Sequence, residues 1–246
     1  MTASTTLDLQ TLNRSLAGKD PAQVIRWSAD TFAGGLPMTS SFGAQAAVML
    51  HLVTQEVPGI PVIWIDTGYL FEQTYHFAEQ LRQRLNLNLK IYTPDITPAR
   101  FEAMHGRAWE DPDQGQTQYL QTFKAKPMQR AIAELGVTAW LAGLRSDQTA
   151  HRAKLRRVEL QDGIYKIHPI LTWSNKDVHD YLKAHDLPYH PLVEQGYASI
   201  GDTHSTAPIT AEMDERQGRF SGLRQECGLH LPASEEEIAS RDSSGL

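Results

Sequence analysis

Short β-rich segments alternate with amphipathic helical patterns along most of this 246-residue chain. Residues 44–54 and 71–85, for example, have helical patterns, and each lies between two segments rich in apolar and β-branched residues. Those segments span residues 38–42, 61–65, 87–92 and 138–142. Strands that alternate with helices indicate parallel βαβ units, with helices on both faces of one sheet. We therefore predict an α/β fold with a doubly wound, mostly parallel sheet.

Further elements are predicted on either side of these units. Residues 8–33 have helical patterns, and Asp20-Pro21 opens a second helix there because proline suits the first helical turn. A fifth strand is expected at residues 165–170. A helix is then expected to run from its N-cap, Ser174, to residue 185.

The last fifth of the chain has a different composition. Residues 196–246 are rich in Gly, Ser, Thr, Glu and Arg, and show little periodicity beyond the pattern of a short helix near 211–220. Such a composition is typical of a flexible terminus. We predict an α/β domain over residues 1–205 and a mobile C-terminal tail over 206–246, with disorder after residue 233.

Composition and charge narrow the class of protein. The 41% apolar content is enough for a hydrophobic core, whereas a net charge of −6 gives no support for nucleic acid or a membrane surface as partner. No apolar run approaches the roughly 20 residues that cross a bilayer. The first ten residues lack a signal-peptide pattern, and one cysteine suits a reducing compartment. We expect a cytoplasmic protein.

The loop after the first strand has the composition of an anion site. Ligands of open α/β sheets bind at the carboxyl ends of the strands, where this loop lies. Its hydroxyls, its glycine and the following helix N-terminus together form a cradle for a phosphate, although an ordinary βα turn has similar residues. The candidate ligand-binding residues are Ser40, Ser41, Phe42, Gly43 and Gln45.

The second strand ends at another candidate, Asp66-Thr67-Gly68. An acidic residue at this place can bind a ribose hydroxyl or an adenine amino group. A helix N-cap uses the same residue types, so both interpretations stay open here.

The fourth strand ends at Gly143 and Arg145 and is followed by Arg152. A basic cluster at a strand end of an acidic protein favours a polyanionic ligand, and Arg145 is the strongest candidate because it directly follows the sheet. Three more cations come next, for which a solvated surface is an equal alternative. They are Lys154, Arg156 and Arg157.

Lys124 and Lys126 precede Pro127, which suits the first turn of another helix. The two lysines would then lie near the positive end of a helix dipole, a further place that favours an anion. The alternative is a pair of solvated lysines.

Cys227 is the only cysteine in the chain. One thiol forms neither an internal disulfide nor a cysteine-ligated metal site, so redox chemistry at this residue needs a second sulfur from another molecule. Arg224 and His230 favour the thiolate, whereas Glu226 opposes it. A small buried hydrophobe is the alternative role of a lone cysteine.

Six motifs, in this order, resemble those of the phosphoadenylyl-sulfate (PAPS) reductases of assimilatory sulfate reduction. The resemblance covers roughly residues 36–230, and it implies an adenine nucleotide α-hydrolase-like fold in which residues 1–205 bind the nucleotide. The motifs are Ser40-Ser41-Phe42-Gly43, Asp66-Thr67-Gly68-Tyr69, Lys124 with Pro127-Met128, Ala142-Gly143-Leu144-Arg145, Gly201-Asp202-Thr203-His204 and Glu226-Cys227-Gly228-Leu229-His230.

The resemblance implies that the chain reduces PAPS to sulfite and adenosine 3′,5′-bisphosphate. Cys227 would carry a thiosulfonate intermediate, and thioredoxin or glutaredoxin would resolve it; a homodimer is common in the family. The implied catalytic residues are Cys227, His230 and Arg224. The implied substrate-binding residues are Ser40, Ser41, Phe42, Gly43, Gln45, Asp66, Thr67, Gly68, Lys124, Lys126, Gly143, Arg145, Arg152 and Arg219.

The related adenylyl-sulfate (APS) reductases carry two cysteine pairs that ligate a [4Fe–4S] cluster. The matching positions here are Tyr119, Leu120, Asp202 and Ser205, none of which supplies a thiolate. We therefore expect no iron–sulfur cluster and no other bound cofactor, and the resemblance favours PAPS over APS. One departure is Ala207, where the family usually has a basic residue.

Two other functions are compatible with parts of the sequence. An ATP pyrophosphatase of the same fold would not need Cys227, but the first loop lacks the usual Ser-Gly-Gly-x-Asp-Ser pattern. A non-catalytic protein that binds nucleotides or docks thioredoxin would bind PAPS without releasing sulfite.

Overall fold

The computed structural model describes residues 7–112, 114–210, 213 and 217–219. It contains one six-stranded sheet with the order β3-β2-β1-β4-β6-β5. Every neighbouring pair is parallel except β5 and β6, which form an antiparallel hairpin. The strands are β1 (Met38–Thr39), β2 (Pro61–Ile65), β3 (Asn88–Tyr92), β4 (Ala139–Leu141), β5 (Val158–Gln161) and β6 (Ile164–Ile167). The predicted doubly wound, mostly parallel sheet is confirmed.

Eight α-helices surround the sheet in the part of the chain that the structure describes. They are α1 (Leu9–Leu16), α2 (Pro21–Thr31), α3 (Ala46–Glu56), α4 (Glu72–Arg84), α5 (Pro98–His105), α6 (Gln114–Leu120), α7 (Lys126–Glu134) and α8 (Asn175–Ala184). A π-helical turn at Gln121–Ala125 joins α6 to α7. Short 3₁₀ turns lie at Ala108–Glu110, Arg152–Lys154, Pro191–Gln195 and Thr203–Ser205.

Local capping explains where the best predicted helices begin. Asp20 caps α2 by accepting from the Gln23 backbone N–H at 2.8 Å, and the Gln23 side chain accepts from the Asp20 N–H. Ser174 and Asp177 form the same reciprocal capping box at the start of α8. Each box satisfies backbone donors that the first helical turn leaves unpaired.

The sequence-based prediction misses β5, which lies at one edge of the sheet. Asp162 and Gly163 make the tight turn between β5 and β6, both with positive φ, and Asp-Gly is a typical signal for such a turn. The predicted fifth strand, at residues 165–170, corresponds to β6, which begins one residue earlier, at Ile164, and ends at Ile167. The Val-Glu-Leu-Gln sequence of β5 alternates as a strand does, but over only four residues this alternation is a weak signal.

Apolar side chains cover both faces of the sheet. One large cluster joins the sheet to α2, α3, α4 and α8 through residues such as Ile25, Leu50, Phe77 and Val178. A smaller cluster on the other face joins it to α7 through Met128. This two-sided burial leaves the carboxyl ends of the parallel strands as the natural place for a ligand.

A third apolar cluster lies around α5 and α6, beside the sheet. Its buried members are Phe101, Ala108, Tyr119 and Phe123. In the part of the chain that the structure describes, no helix is long and apolar enough to cross a membrane.

The described part of the C-terminal segment folds back on itself. Thr206 and Arg219 form an antiparallel bridge, and the Ala207 backbone N–H donates to the Gly218 carbonyl at 2.8 Å. The short helix predicted near residues 211–220 therefore does not include residues 217–219, because this bridge requires extended backbone at Arg219. The boundary proposed at residue 205 remains a prediction.

Candidate active site

A cleft of about 260 Å³ opens at the carboxyl ends of β1 and β4. Its walls are the loop after β1, the start of α3, the loop after β4 and the segment at residues 198–201. Nine of the predicted substrate-binding residues line it together. They are Ser40, Ser41, Gly43, Gln45, Lys124, Gly143, Arg145, Arg152 and Arg219.

The loop after β1 turns sharply at Phe42. This residue has a φ of 49°, and the turn is held by its backbone N–H, which donates to Ser40 Oγ at 3.1 Å. The Phe42 side chain is fully buried and packs against Trp64, with ring centroids 4.9 Å apart. Phe42 is thus a core residue that shapes the loop and is not among the described residues that line the cleft, and its role in substrate binding remains a prediction.

The same loop leaves a helix N-terminus open toward the cleft. Gln45 precedes α3, and among the described residues no side chain caps the first turn of this helix. The backbone N–H groups of Ala46 and Val48 donate to the carbonyls of Gly43 and Gln45, so it is the helix dipole that favours an anion at this place. Ser40, Ser41 and Gly43 lie next to it on the cleft wall.

The end of β4 brings a buried arginine to the cleft. Gly143 allows a close approach to α3, because a Cβ there would lie 2.8 Å from Met49 Cγ. Arg145 is only 1% exposed, and its guanidinium donates to Asn175 Oδ1 at 2.6 Å and to Asp147 Oδ2 at 3.3 Å. The first residue of α8 therefore fixes the orientation of this cation.

Arg152 is a second buried cation of the cleft wall, 4% exposed. Gln148 links it to Arg145, since Gln148 Oε1 accepts from the Arg145 backbone N–H and from Arg152 Nη1. Arg157, in contrast, donates to the backbone oxygens of Lys19 and Pro169, so it joins segments of the fold.

The motif at the end of β2 makes a turn beside the cleft. Asp66 Oδ1 accepts from the Gly68 backbone N–H at 2.9 Å and from the Tyr75 hydroxyl at 2.8 Å. Gly68 has a φ of 73° and lies close to Pro98. The described residues that line the cleft do not include Asp66, Thr67 or Gly68. Their role as substrate-binding residues remains a prediction.

Thr67 instead holds a buried carboxylate that sequence reasoning did not single out. Its hydroxyl donates to Asp202 Oδ1 at 2.6 Å, and Lys124 Nζ lies 2.6 Å from Asp202 Oδ2. Burial raises the pKa of Asp202, but the charge of Lys124 and the hydrogen bonds from Lys124 and Thr67 more than offset this and hold the pKa well below its usual range. Asp202 is therefore an anion inside the protein.

Lys124 and Lys126 have different environments. Lys124 lies in the π-helical turn, lines the cleft and is 12% exposed, whereas Lys126 is exposed. Pro127 lies in the first turn of α7, as predicted, but α6, the π turn and α7 form one continuous helical run, so the two lysines do not lie before a separate helix N-terminus. A π turn adds one residue to the helix, and such turns are frequent at functional sites.

Arg219 reaches the cleft from the C-terminal segment. Its Nη1 donates to Thr206 Oγ1 at 2.9 Å, and its guanidinium lies directly against the backbone of Gly201. A Cβ on Gly201 would be 2.0 Å from Arg219 Nη1, so only glycine leaves room for this cation. Gly201 was quoted in the sequence motif, but its function in shaping the site is visible only in the structure.

His204 lies in an aromatic pocket next to Asp202. Its ring stacks on Trp109, with centroids 4.1 Å apart, and meets the rings of Tyr69 and Tyr119 edge-on. Burial, together with the cations Lys124 and Arg219, lowers the pKa of His204 to about 4, against the opposing charge of Asp202. A neutral imidazole therefore anchors this segment to the apolar cluster around α5 and α6.

Comparison with known proteins adds independent information. The family model of the phosphoadenosine phosphosulfate reductase domain matches residues 35–208. A phosphoadenosine 5′-phosphosulfate reductase of Synechocystis sp. is 57% identical, over 98% of both chains. Another, from Synechococcus sp., is 55% identical over 91% of this chain and 97% of its own length. The chain belongs to the phosphoadenosine phosphosulfate reductase family. It is therefore an oxidoreductase, as the resemblance implied.

Solved structures agree with this assignment to the PAPS reductase family. A crystal structure of a PAPS reductase from Candida auris, in a phosphate complex, is 32% identical with a TM-score of 0.72, and covers 82% of this chain and 98% of its own. An FMN adenylyltransferase from Candida glabrata has a TM-score of 0.57 at 13% identity, over 96% of this chain and 87% of its own. The second likeness shows a shared fold.

Three of the positions that match cluster ligands in APS reductases meet in this PAPS reductase family member. Tyr119, Asp202 and Ser205 are all buried, and Tyr119 belongs to the apolar cluster around α5 and α6. Burial, followed by the charge of Asp202, raises the pKa of Tyr119. None of these side chains is a thiolate, and the absence of a cluster remains a prediction. The predicted catalytic residues Cys227, His230 and Arg224 lie outside the described residues.

Proposed function

We propose that this chain reduces PAPS to sulfite and adenosine 3′,5′-bisphosphate. The observation that carries the proposal is the family membership, with relatives named as PAPS reductases at up to 57% identity over nearly the whole chain. The cleft supports it chemically. Among the residues that the structure describes, four cations line this cleft in a protein whose net charge is −6, as a ligand with several anionic groups requires.

The four cations form two pairs, which differ in the residues that hold them. Arg145 and Arg152 are joined through Gln148 after β4, whereas Lys124 and Arg219 lie beside Gly201 and Asp202. PAPS also carries anionic groups at two places, the 3′-phosphate and the phosphosulfate. Two separate basic pairs suit a ligand with two anionic places better than they suit a ligand with a single phosphate.

In the first step, the Cys227 thiolate attacks the sulfur of the sulfonate group. A bond forms between Cys227 Sγ and that sulfur, and the bond from the sulfur to the phosphate oxygen breaks. The electron pair leaves with adenosine 3′,5′-bisphosphate, and a thiosulfonate remains on Cys227. Cations beside the cleft stabilise the negative charge that develops on the leaving phosphate.

In the second step, a thioredoxin or glutaredoxin thiolate attacks Cys227 Sγ. Sulfite departs with the electron pair of the broken S–S bond, and a mixed disulfide joins the two proteins. The second thiol of the partner then resolves this disulfide and regenerates the Cys227 thiolate. Electrons therefore come from the dithiol, and this scheme needs no metal or bound cofactor.

Intact-protein mass spectrometry tests the first step directly. Reduced protein mixed with PAPS, without any thiol partner, is expected to gain one sulfonate and release one equivalent of nucleotide. Cys227→Ser is the matched control, which should bind nucleotide but gain no adduct. Sustained sulfite release without a thiol partner, or an adduct on the serine variant, would contradict the scheme.

Parallel sulfite assays with PAPS and APS test the choice of substrate. With reduced thioredoxin, and separately with glutaredoxin, we expect release from PAPS to exceed release from APS at equal concentration. Comparable rates on both nucleotides would refute the assignment of PAPS as the preferred substrate. Binding of PAPS with no sulfite under either reductant would instead support a non-catalytic binding protein.

A further inference from the structure

Asp202, a buried carboxylate beside the cleft, takes no part in either of the two proposed chemical steps. Asp202 is 0% exposed, and an ionised carboxylate is costly to bury unless charges and hydrogen bonds compensate for it. Its compensation comes from Lys124 on Oδ2 and Thr67 on Oδ1, each at 2.6 Å. An acidic side chain beside an anion-binding cleft would weaken binding unless it does something else for the site.

The backbone around Asp202 is fixed on several sides. The Thr203 N–H donates to the Tyr69 carbonyl at 2.9 Å, and Asp202 forms an antiparallel bridge with Leu70. The Ser205 N–H donates back to the Asp202 carbonyl at 3.1 Å. The carboxylate is therefore held by the fold, and Lys124, on its long flexible side chain, is the group whose position it determines.

Arg219 depends on the same segment. Its guanidinium lies against Gly201, the neighbour of Asp202, and its Nη1 donates to Thr206, four residues after Asp202. The negative charge of Asp202 also interacts with Arg219. One short segment thus carries the groups that place both cations of this side of the cleft.

We propose that Asp202 is a positioning residue, which holds Lys124 in place beside Arg219 so that the two cations bind one anionic group of the substrate. This inference rests on the proposed function, because it assigns the cations to that substrate. Lys124 Nζ has three N–H donors, and the ion pair with Asp202 directs the remaining ones. A cation fixed before the ligand arrives loses less side-chain entropy on binding than a mobile one does.

The proposal predicts a specific split between the kinetic constants. A cation that binds the same anionic group before and during the reaction contributes to KM rather than to kcat. With Asp202→Asn, Thr67 still has an oxygen acceptor, but Lys124 loses its countercharge and its fixed position. We expect the KM for PAPS to rise about tenfold or more, because small displacements of binding groups are costly, with kcat within about threefold of wild type.

Asp95→Asn is the matched control, since it makes the same chemical change in the ion pair with Arg130, where Asp95 is 83% exposed. Lys124→Gln and the double variant Lys124→Gln/Asp202→Asn complete a cycle. If Asp202 acts through Lys124, then Asp202→Asn adds less than about threefold to KM once Lys124 is absent, since coupled residues are not additive. The comparison of Lys124→Gln with the double variant remains valid if Asp202→Asn alone does not fold.

The outcomes separate the inference from the proposed function. Wild-type protein that releases no sulfite from PAPS with either reductant contradicts the function and removes the basis of the inference. Wild-type turnover, with Asp202→Asn matching Asp95→Asn in KM, overturns the inference alone. A further rise of about tenfold in KM between Lys124→Gln and the double variant also overturns it, because Asp202 would then act independently of Lys124.

Discussion

His190 provides a quantitative test of how the cleft loop is held in place. This histidine is fully buried and accepts, at Nδ1, a hydrogen bond from the Leu192 backbone N–H at 3.1 Å. Its Nε2 lies 3.0 Å from Thr74 Oγ1, and its backbone N–H donates to the Ala44 carbonyl in the loop that lines the cleft. Because Nδ1 accepts, the folded protein holds a neutral imidazole with its proton on Nε2.

The sign and size of the pH effect follow from this arrangement. Burial lowers the pKa of His190 to about 4, from an ordinary value of 6.5. As the pH falls below about 6.5, the unfolded chain takes up a proton that the folded protein refuses, so the folded state loses relative stability. The full loss is about 3 kcal/mol, of which about 2 kcal/mol develops between about pH 7.5 and pH 5.

Urea unfolding of wild type and His190→Asn at the two pH values measures this loss. We expect the variant to have a lower free energy of unfolding than wild type at both pH values. Asparagine can accept the Leu192 hydrogen bond but does not titrate, so this free energy should fall less than that of wild type as the pH is lowered. Wild type should lose about 2 kcal/mol more than the variant between about pH 7.5 and pH 5. Other titrating groups, including His204, are common to both proteins and cancel in the difference.

A parallel fall would refute the reasoning. If wild type and His190→Asn lose stability to within about 0.5 kcal/mol of each other, then His190 is not held neutral by its surroundings. If the free energy of unfolding fell more steeply in the variant than in wild type, the folded wild-type protein would bind the proton at His190 more readily than the unfolded chain does. Unchanged slopes of the urea curves confirm that the comparison reports stability alone.

Four further substitutions test the cleft. Gly201→Ala should displace the Arg219 guanidinium, since its Cβ would lie 2.0 Å from Nη1, and raise the KM for PAPS about tenfold with the fold intact by circular dichroism. Lys124→Ala should raise that KM about tenfold or more, whereas exposed Lys126→Ala should change it less than about twofold, as steady-state sulfite assays would show. Gly143→Ala should weaken nucleotide binding in calorimetry, because its Cβ would lie 2.8 Å from a side chain of α3; unchanged affinity would contradict this.

Features encoded by neighbouring residues were predictable from the sequence. The alternation of β-rich and helical segments led to the doubly wound sheet, and β2 was predicted with its observed bounds. Arg145 and Arg152, after the end of β4, were also predicted, and they meet in one cleft with Arg219, which the family resemblance implied. This worked because parallel strands place their carboxyl ends at one edge of a sheet, so residues at strand ends converge whatever their separation in sequence.

Features that depend on a distant partner were not predictable in the same way. Phe42 lies inside a loop of polar character, yet its side chain enters the core because the backbone adopts a positive φ there. Lys124 and Lys126 are two residues apart with similar neighbours, and only the π turn and the position of Asp202 separate a cleft lysine from an exposed one.

The amino-acid sequence alone determined the fold class and the edge of the sheet at which the cleft lies, and its single cysteine excludes an internal disulfide. Tertiary structure alone decided how the charges of the site are paired. Thr67 and Asp202 are 135 residues apart in the chain but share a hydrogen bond in the interior. The reason is physical: a periodic pattern records which face of an element is apolar, whereas the strength of an ion pair depends on desolvation that arises only when distant segments pack together.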